Sequence, residues 1–243
     1  MKNEWFADWF DSPYYHTLYK SRDENEAQIF IENLSANLQL PAGSRVLDLA
    51  CGKGRHSVTL QQLGYQVLGA DLSLNSISFA RQFENEQLKF VVHDMREVIK
   101  DQQFAAVFNL FTSFGYFDSL KENKKVMTAV AEMLQPKGLF IIDFMNVDYV
   151  VAQLVKKQTK VVDGIEFKIE RALIDDTIVK DIRFSAEGKN FKFQEKVQAI
   201  RLADFEAMLE EHNFKIIRTF GDFQLKPFDL KNSSRLIIIA QLN

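Results

Sequence analysis

Three aspartates stand at or near the ends of three apolar segments of this sequence. Asp48 lies near the end of RVLDL, Asp71 ends QVLGAD, and Asp94 directly follows LKFVVH. In an open α/β sheet the carboxyl ends of parallel strands line one crevice. There, a carboxylate can accept hydrogen bonds from both hydroxyls of a ribose, and an acid beside Met95 suits the amino edge of adenine. One such aspartate is also explained as a helix N-cap, but three in register predict a nucleoside-binding crevice.

A turn of small residues follows the first of these acids and leads into a segment with helical spacing. Its pattern is Ala50-x-Gly52-x-Gly54, which lets the backbone approach a ligand beside the unpaired N–H groups of a helix N-terminus. A dinucleotide fingerprint would place a third glycine further on, where Arg55 and His56 begin the helix instead. No Lys-Ser/Thr pair of the Walker type follows the glycines, so a pyrophosphate ligand is disfavoured.

The elements that must position these residues alternate between strand and helix patterns. Strands are predicted at 45–50, 66–71, 88–93, 104–111, 138–144, 214–220 and 235–241. Helices are predicted at 24–38, 56–63, 74–83, 122–134 and 202–212. Several strands are nearly continuous apolar runs, which is typical of a sheet covered on both faces. The sequence therefore predicts an α/β fold with a doubly wound, mainly parallel, seven-stranded Rossmann-like sheet.

Two segments depart from this alternation, and we expect both to elaborate one domain spanning residues 1–243. Residues 4–20 hold seven aromatic side chains. They predict helices that pack on the domain, or a lid over a bound ligand, within an N-terminal helical region at 1–38. Residues 159–201 alternate apolar and charged side chains between turn signals. They predict three or four antiparallel strands, within an insertion at 155–201.

Composition limits the classes of function. The chain has 243 residues, a net charge of −3 and one cysteine. It lacks the basic excess of a general nucleic-acid binder, a signal-peptide core and a membrane span. No His, Cys and carboxylate cluster has metal-ligand spacing. We expect a cytoplasmic monomer or homodimer without metal, nucleic-acid or membrane partners.

The motifs together resemble those of class I S-adenosylmethionine-dependent methyltransferases. They are VLDLACGKGRHS, GADLS after the second strand, VHDMR after the third and FNLFTSFGYF after the fourth. The last resembles the small-molecule branch, which includes amino-sugar N-methyltransferases with an aromatic N-terminal lid and a β insertion. The resemblance is strong over residues 40–145. It departs from the family pattern at Ala50, where a glycine is usual.

The resemblance implies S-adenosyl-L-methionine as cofactor and a role for each matching residue. Contacts to its methionine part are implied for Asp48, Ala50, Gly52, Asn109 and Leu110. Contacts to its ribose and adenine are implied for Asp71, Leu72, Asp94 and Met95. Tyr19 or Arg22 from the N-terminal segment would hold the methionine carboxylate.

The implied reaction is methyl transfer to a nitrogen or oxygen atom of a small molecule. An amine needs only to be deprotonated, whereas a hydroxyl needs a positioned base. The candidates for residues at the reacting atoms are Tyr14, His16 and Tyr116. Two alternatives stay open at this point: an NAD(P)-dependent oxidoreductase on the same sheet, and a methyltransferase-like binding protein without turnover.

Overall fold

The apolar segments of the chain form the strands of one large sheet, and helices connect most of them. The computed structural model describes residues 5–20 and 24–243. The strands found there are β1 (Arg45–Leu49), β2 (Gln66–Asp71), β3 (Leu88–Val92), β4 (Phe104–Asn109), β5 (Leu134–Met145), β6 (Lys157–Val162), β7 (Ile165–Ile174), β8 (Thr177–Ala186), β9 (Lys189–Gln198), β10 (Phe214–Phe220) and β11 (Arg235–Leu242). The α-helices are α1 (Trp5–Phe10), α2 (Pro13–Leu18), α3 (Glu24–Leu38), α4 (Arg55–Gln62), α5 (Leu74–Ala80), α6 (Leu120–Met133), α7 (Val147–Ala152) and α8 (Leu202–Glu211).

Seven strands form the main sheet in the order β3-β2-β1-β4-β5-β11-β10. Strand β1 pairs in parallel with both β2 and β4, whereas β11 is antiparallel to β5 and β10. The strand order reverses between β1 and β4, and a ligand crevice is expected at the carboxyl ends beside such a switch point. The predicted fold class, a doubly wound and mainly parallel seven-stranded sheet, is confirmed.

Strand β5 differs most from its predicted bounds, and β4 ends at Asn109 and not at residue 111. Strand β5 begins at Leu134, directly after α6, and not at residue 138. Leu134 pairs with Phe104, and the next pair joins Leu139 to Ala106, so the intervening residues leave the regular register. Lys137 has a positive φ within this excursion. Pro136, which cannot donate to a ladder, is tolerated because the pairing is interrupted there.

Two glycines bring helix α4 close to the sheet beneath the crevice. A Cβ on Gly54 would lie 2.6 Å from the ring of Phe90, and one on Gly69 would lie 2.5 Å from it. The same Cβ on Gly69 would lie 3.0 Å from Ser57 Oγ. These glycines therefore supply the close helix–strand packing that a third glycine in the turn would otherwise give, and they bring Ser57 against β1.

The insertion forms a second, antiparallel sheet of four strands in the order β6-β7-β8-β9. Its tight turns at 163–164, 175–176 and 187–188 all contain residues with positive φ, which fits the turn signals of the sequence. The N-terminal helices pack on this sheet. Trp9 and Leu18 are buried there among side chains of β7 and β8 that include Phe167 and Ile182.

Two features are absent from the described residues. Within 5–20 and 24–243, no group of three or more His, Cys, Asp and Glu side chains could hold a metal ion. None of the helices in that part of the chain has both the length and the apolar character needed to cross a lipid bilayer.

Candidate active site

A cleft of about 1200 Å³ opens at the carboxyl ends of the main sheet. Asp48, Asp71 and Asp94 all line it, so the three acids that the sequence placed at strand ends share one cavity. Ligand pockets typically measure roughly 300–1,000 Å³. This cleft therefore has room for a nucleoside cofactor together with a small second molecule.

Asp48 lies at the floor of the cleft and is only 1% exposed. Ser57 Oγ, on α4, donates a 2.6 Å hydrogen bond to its Oδ2 atom. Burial raises the pKa of Asp48 to about 6, and the nearby negative charge of Asp71 acts in the same direction, against the effect of the Ser57 bond. A buried carboxylate of raised pKa is well suited to pair with a cationic ligand group.

Asp71 accepts a hydrogen bond that fixes the backbone of the glycine turn. Gly52 N–H donates to Asp71 Oδ2 at 2.8 Å, and Ser73 N–H donates to Asp71 Oδ1 at 2.8 Å. Ala50 and Gly52 have φ values of 63° and 56°, in the left-handed region that suits glycine and costs other residues about 1–2 kcal/mol. Burial raises the pKa of Asp71 despite these bonds.

This arrangement fits the nucleoside cofactor. A Cβ placed on Gly52 would meet nothing within 4 Å, so the turn presents bare backbone to the cleft. Each Asp71 oxygen accepts one backbone hydrogen bond, and a carboxylate has about four acceptor positions. Positions remain for two ribose hydroxyls. The N-cap of α5 is Ser73, whose hydroxyl accepts the N–H of Ser76, so the capping alternative for Asp71 is wrong and ribose binding stays a prediction.

Asp94 is tied to a neighbouring arginine. Arg96 Nη2 lies 2.6 Å from Asp94 Oδ2, and Arg96 N–H donates to Asp94 Oδ1 at 2.9 Å. Partial burial works to raise the pKa of Asp94, but the bonds from Arg96 hold it below its usual range. Arg96 also reaches Glu122, 3.1 Å away on α6. Asp94 therefore stays ionised, with part of its acceptor capacity already used.

The remaining predicted cofactor contacts divide into two groups. Leu72, Met95 and Leu110 line the cleft. Asn109 is fully buried and is not among the lining residues. Its Nδ2 atom donates to the carbonyl of Leu49 at 3.1 Å, which ties the end of β4 to the end of β1.

The predicted N-terminal contacts and the candidates for residues at the reacting atoms also divide. His16, Tyr19 and Tyr116 line the cleft, but Tyr14 does not. The Tyr14 ring packs in the second sheet, 4.8 Å from the ring of Phe184, and this removes it from the residues we place at the reacting atoms. Arg22 lies outside the described residues.

Two of the cleft-lining side chains have environments that change their expected roles. The Tyr19 hydroxyl donates to Glu195 Oε1 at 2.6 Å, so it is not directed to a ligand carboxylate. Burial and the positive charge of Lys53 lower the pKa of His16 to about 4, although Asp11 opposes this. His16 is therefore neutral at pH 7.

The N-terminal helices are attached on both sides of the cleft. Ser73 Oγ and Asn75 Nδ2, just after β2, donate to the carboxylate of Asp11 at 2.7 and 2.6 Å. On the other side, Trp9 Nε1 donates to Glu195 Oε1, on β9, at 2.7 Å. The helices thus span from the rim of the glycine turn to the second sheet and form a wall of the cleft.

A sheet of this strand order, with its last strand antiparallel and acids at three adjacent strand ends, defines the class I methyltransferase fold. The sequence profile of the methyltransferase-domain family matches residues 40–183. That is more than half of the chain, which therefore belongs to this family. The protein is an S-adenosylmethionine-dependent methyltransferase, and both the predicted enzyme class and the predicted cofactor are confirmed.

Known proteins with a similar sequence or fold agree with this assignment. A glycine/sarcosine N-methyltransferase from Aphanothece halophytica is 28% identical over 214 residues, which cover 85% of this chain and 78% of that protein. An S-adenosylmethionine-dependent methyltransferase from Clostridium acetobutylicum superimposes with a TM-score of 0.80 at 22% identity, covering 95% and 96% of the two chains. An amino pentose methyltransferase from Micromonospora echinaspora gives 0.73 at 17% identity, covering 96% and 98%. The two structures show a shared fold, and none of these matches supports the oxidoreductase alternative.

Sequence reasoning missed a polar pair behind the cleft. Asp143, on β5, is fully buried, and Arg235 Nη2, on β11, lies 2.7 Å from its Oδ1 atom. Burial raises the pKa of Asp143, although Arg235 opposes this. A signal was present, because an aspartate inside the apolar run FIIDFM is unusual for a buried strand.

Proposed function

We propose that the cleft binds S-adenosylmethionine along the strand ends and a small acceptor molecule against the N-terminal helices. When bound, the cofactor supplies a methyl group on a positively charged sulfur. Asp48, Ala50 and Gly52 would hold the methionine part, with Leu110 beside it and Asn109 supporting it from below. Asp71 would hold the ribose. The adenine would lie against Leu72, Asp94 and Met95.

The observation that carries the choice of acceptor is a continuous row of aromatic rings in the cleft. Neighbouring ring centroids are 4.9 to 6.5 Å apart. The row consists of Phe117, Phe6, Tyr116, Phe10, Tyr15 and Tyr19. Such rings exclude water and attract ammonium groups, each contact contributing about 0.5–2 kcal/mol. We infer that the acceptor atom is the nitrogen of an amine.

Proton chemistry supports the same choice. Methyl transfer to a hydroxyl needs a base that can remove its proton. His16, with a pKa of about 4, is too weak a base for this. An amine that enters as an ammonium group loses one proton to solvent before the transfer. The neutral amine then carries its reactive electron pair, so the chain needs only to orient it and keep water away. The relative named as a glycine/sarcosine N-methyltransferase supports this interpretation.

The proposal is tested by measuring formation of S-adenosylhomocysteine with a panel of acceptors: glycine, sarcosine, an amino sugar and a catechol. We expect turnover with at least one amine and none with the catechol. Tyr116→Leu should raise the KM for the amine, whereas Tyr149→Leu, outside the cleft on α7, should not. Turnover with the catechol alone would refute the amine as acceptor.

The remaining features of the proposal concern partners and location. We place the protein in the cytoplasm, acting on small molecules as a monomer or homodimer without nucleic acid. The net charge of −3 and the single cysteine support this placement.

A further inference from the structure

The loop between β4 and α6 (residues 110–119, the β4–α6 loop) has a strained backbone where it enters the cleft. Phe111 and Thr112 have φ values of 56° and 60°, in a region that residues other than glycine avoid. Leu110, Phe111, Ser113 and Tyr116 all line the cleft. Because two adjacent residues hold an unfavourable conformation, contacts outside the loop must maintain it.

Asp143 provides the first of these contacts. Its Oδ2 atom accepts the N–H of Phe111 at 2.8 Å, and its backbone carbonyl accepts the N–H of Thr112 at 2.9 Å. Asp143 is fully buried on β5, next to the strand from which the loop leaves. Both strained residues therefore donate their backbone N–H groups to a single aspartate.

Arg235 provides the second set of contacts. Its Nε atom donates to Asp143 Oδ1 at 2.8 Å, and its Nη2 atom donates to Thr112 Oγ1 at 3.0 Å. Its guanidinium also lies 5.6 Å from the centroid of the Phe223 ring, which stacks on Phe111 at 5.1 Å. One planar guanidinium thus contacts the carboxylate, the loop and the ring behind the loop, which the single ammonium of a lysine cannot do.

We propose that Asp143 and Arg235 are positioning residues that fix the β4–α6 loop in the cleft and thereby place the acceptor for methyl transfer. The acceptor part of this inference rests on the function proposed above. Neither residue lines the cleft, so both would act through Phe111 and Thr112.

The far end of the loop is held independently and provides an internal reference. Gln198 Nε2 donates to the carbonyl of Phe117 at 2.9 Å, and Gln198 N–H donates to the carbonyl of Gly115 at 2.8 Å. These contacts come from β9 and involve neither member of the pair. Loss of Arg235 should therefore release one end of the loop and leave the other in place.

The test compares Arg235→Lys with Arg218→Lys, an arginine on neighbouring β10 whose guanidinium bonds Asn37 at the surface. Hydrogen exchange should accelerate by about tenfold or more at the amides of Phe111 and Thr112 in Arg235→Lys. Exchange across the rest of the sheet and throughout Arg218→Lys should stay as in the wild type. The affinity for S-adenosylhomocysteine, measured by calorimetry, should change by less than about threefold.

Turnover provides the functional readout. With an amine accepted by the wild type, kcat of Arg235→Lys should fall by roughly ten- to a hundred-fold, because a small misplacement of reacting groups has an effect of this size. KM for the cofactor should stay nearly constant. Thr112→Val, which removes only the Oγ1 acceptor, should show a smaller effect of the same kind. In the double variant, kcat should be little lower than in Arg235→Lys alone, because both substitutions remove the same hydrogen bond between Arg235 and Thr112.

Two results would overturn the proposal. One is unchanged exchange at Phe111 and Thr112, or exchange that accelerates equally over the whole sheet, which would mean a general stabilising role. The other is a released loop with unchanged kcat. The exchange and calorimetry measurements need no acceptor, so they remain decisive even if amines are not the substrates.

Discussion

The charge state of Asp48 gives a prediction whose size follows from the structure. Burial raises its pKa to about 6 from a reference value of 3.8. The folded protein therefore holds this proton more tightly than the unfolded chain. Between pH 4 and 6 the free energy of unfolding should fall as pH rises, by about 1.4 kcal/mol per unit of pKa shift. The total loss in the free energy of unfolding is about 3 kcal/mol. This loss is complete above about pH 6 and absent below about pH 4.

The variant Asp48→Asn isolates this effect, because asparagine keeps an acceptor for Ser57 but cannot ionise. Without cofactor, the stability of the variant relative to the wild type should be greater at pH 7.5 than at pH 4.5 by about 2 kcal/mol. Urea unfolding at a series of pH values measures this difference. Asp101→Asn, at an exposed position, is the matched control and should show no such trend. A difference that stays constant between pH 4.5 and 7.5 would refute the reasoning.

The same substitution should have the opposite effect on ligand binding. If Asp48 pairs with the amino group of the methionine part, Asp48→Asn should weaken S-adenosylhomocysteine binding by about ten- to a hundred-fold at pH 7.5. Wild-type affinity should also fall as pH drops below about 6, where the carboxylate becomes protonated. Titration calorimetry measures both effects, and a variant with unchanged affinity would show that Asp48 does not contact this group.

Three further substitutions test other parts of the site. Asp71→Ala should lower S-adenosylhomocysteine affinity by roughly ten- to a hundred-fold in calorimetry, and unchanged affinity with an intact fold would place the ribose elsewhere. Gly69→Ala sets a Cβ 2.5 Å from the Phe90 ring, so urea unfolding should show a loss of about 1–3 kcal/mol. Full stability would contradict the packing described. Asp11→Ala removes the hydrogen bond from Ser73, which contributes about 1 kcal/mol. Release of S-adenosylhomocysteine should therefore become several-fold faster in stopped-flow measurements. An unchanged release rate would leave these helices a packing role only.

The half of the cleft that we propose binds the cofactor (the cofactor half: the strand ends and the glycine turn) was predictable because it depends on local patterns. Apolar runs fix the strands, and each strand ends at the same edge of the sheet, so Asp48 and Asp71 could be placed from their positions in the runs. The glycine turn after β1 could be predicted from its small residues. Even here Ala50 has a left-handed φ of 63°, which only the surrounding contacts reveal.

The half that we propose binds the acceptor (the acceptor half) was less predictable because it depends on partners far apart in the sequence. Arg235 meets Asp143 across 92 residues, and Trp9 meets Glu195 across 186. Nothing in the N-terminal segment alone separates Tyr14, which packs on the second sheet and does not line the cleft, from Tyr15, which does line it. Such contacts depend on which surfaces the tertiary fold brings together.

The two halves of the cleft therefore respond differently to change. Strand ends and the glycine turn form the cofactor half, so substitutions there disturb the sheet as well as the ligand. The acceptor half is assembled from the N-terminal helices and the β4–α6 loop. These are held by side chains such as Glu195 and Gln198, both on the second sheet. Because no strand of that sheet pairs with the main sheet in the described residues, we expect substitutions of its side chains to alter acceptor choice while the cofactor site stays intact.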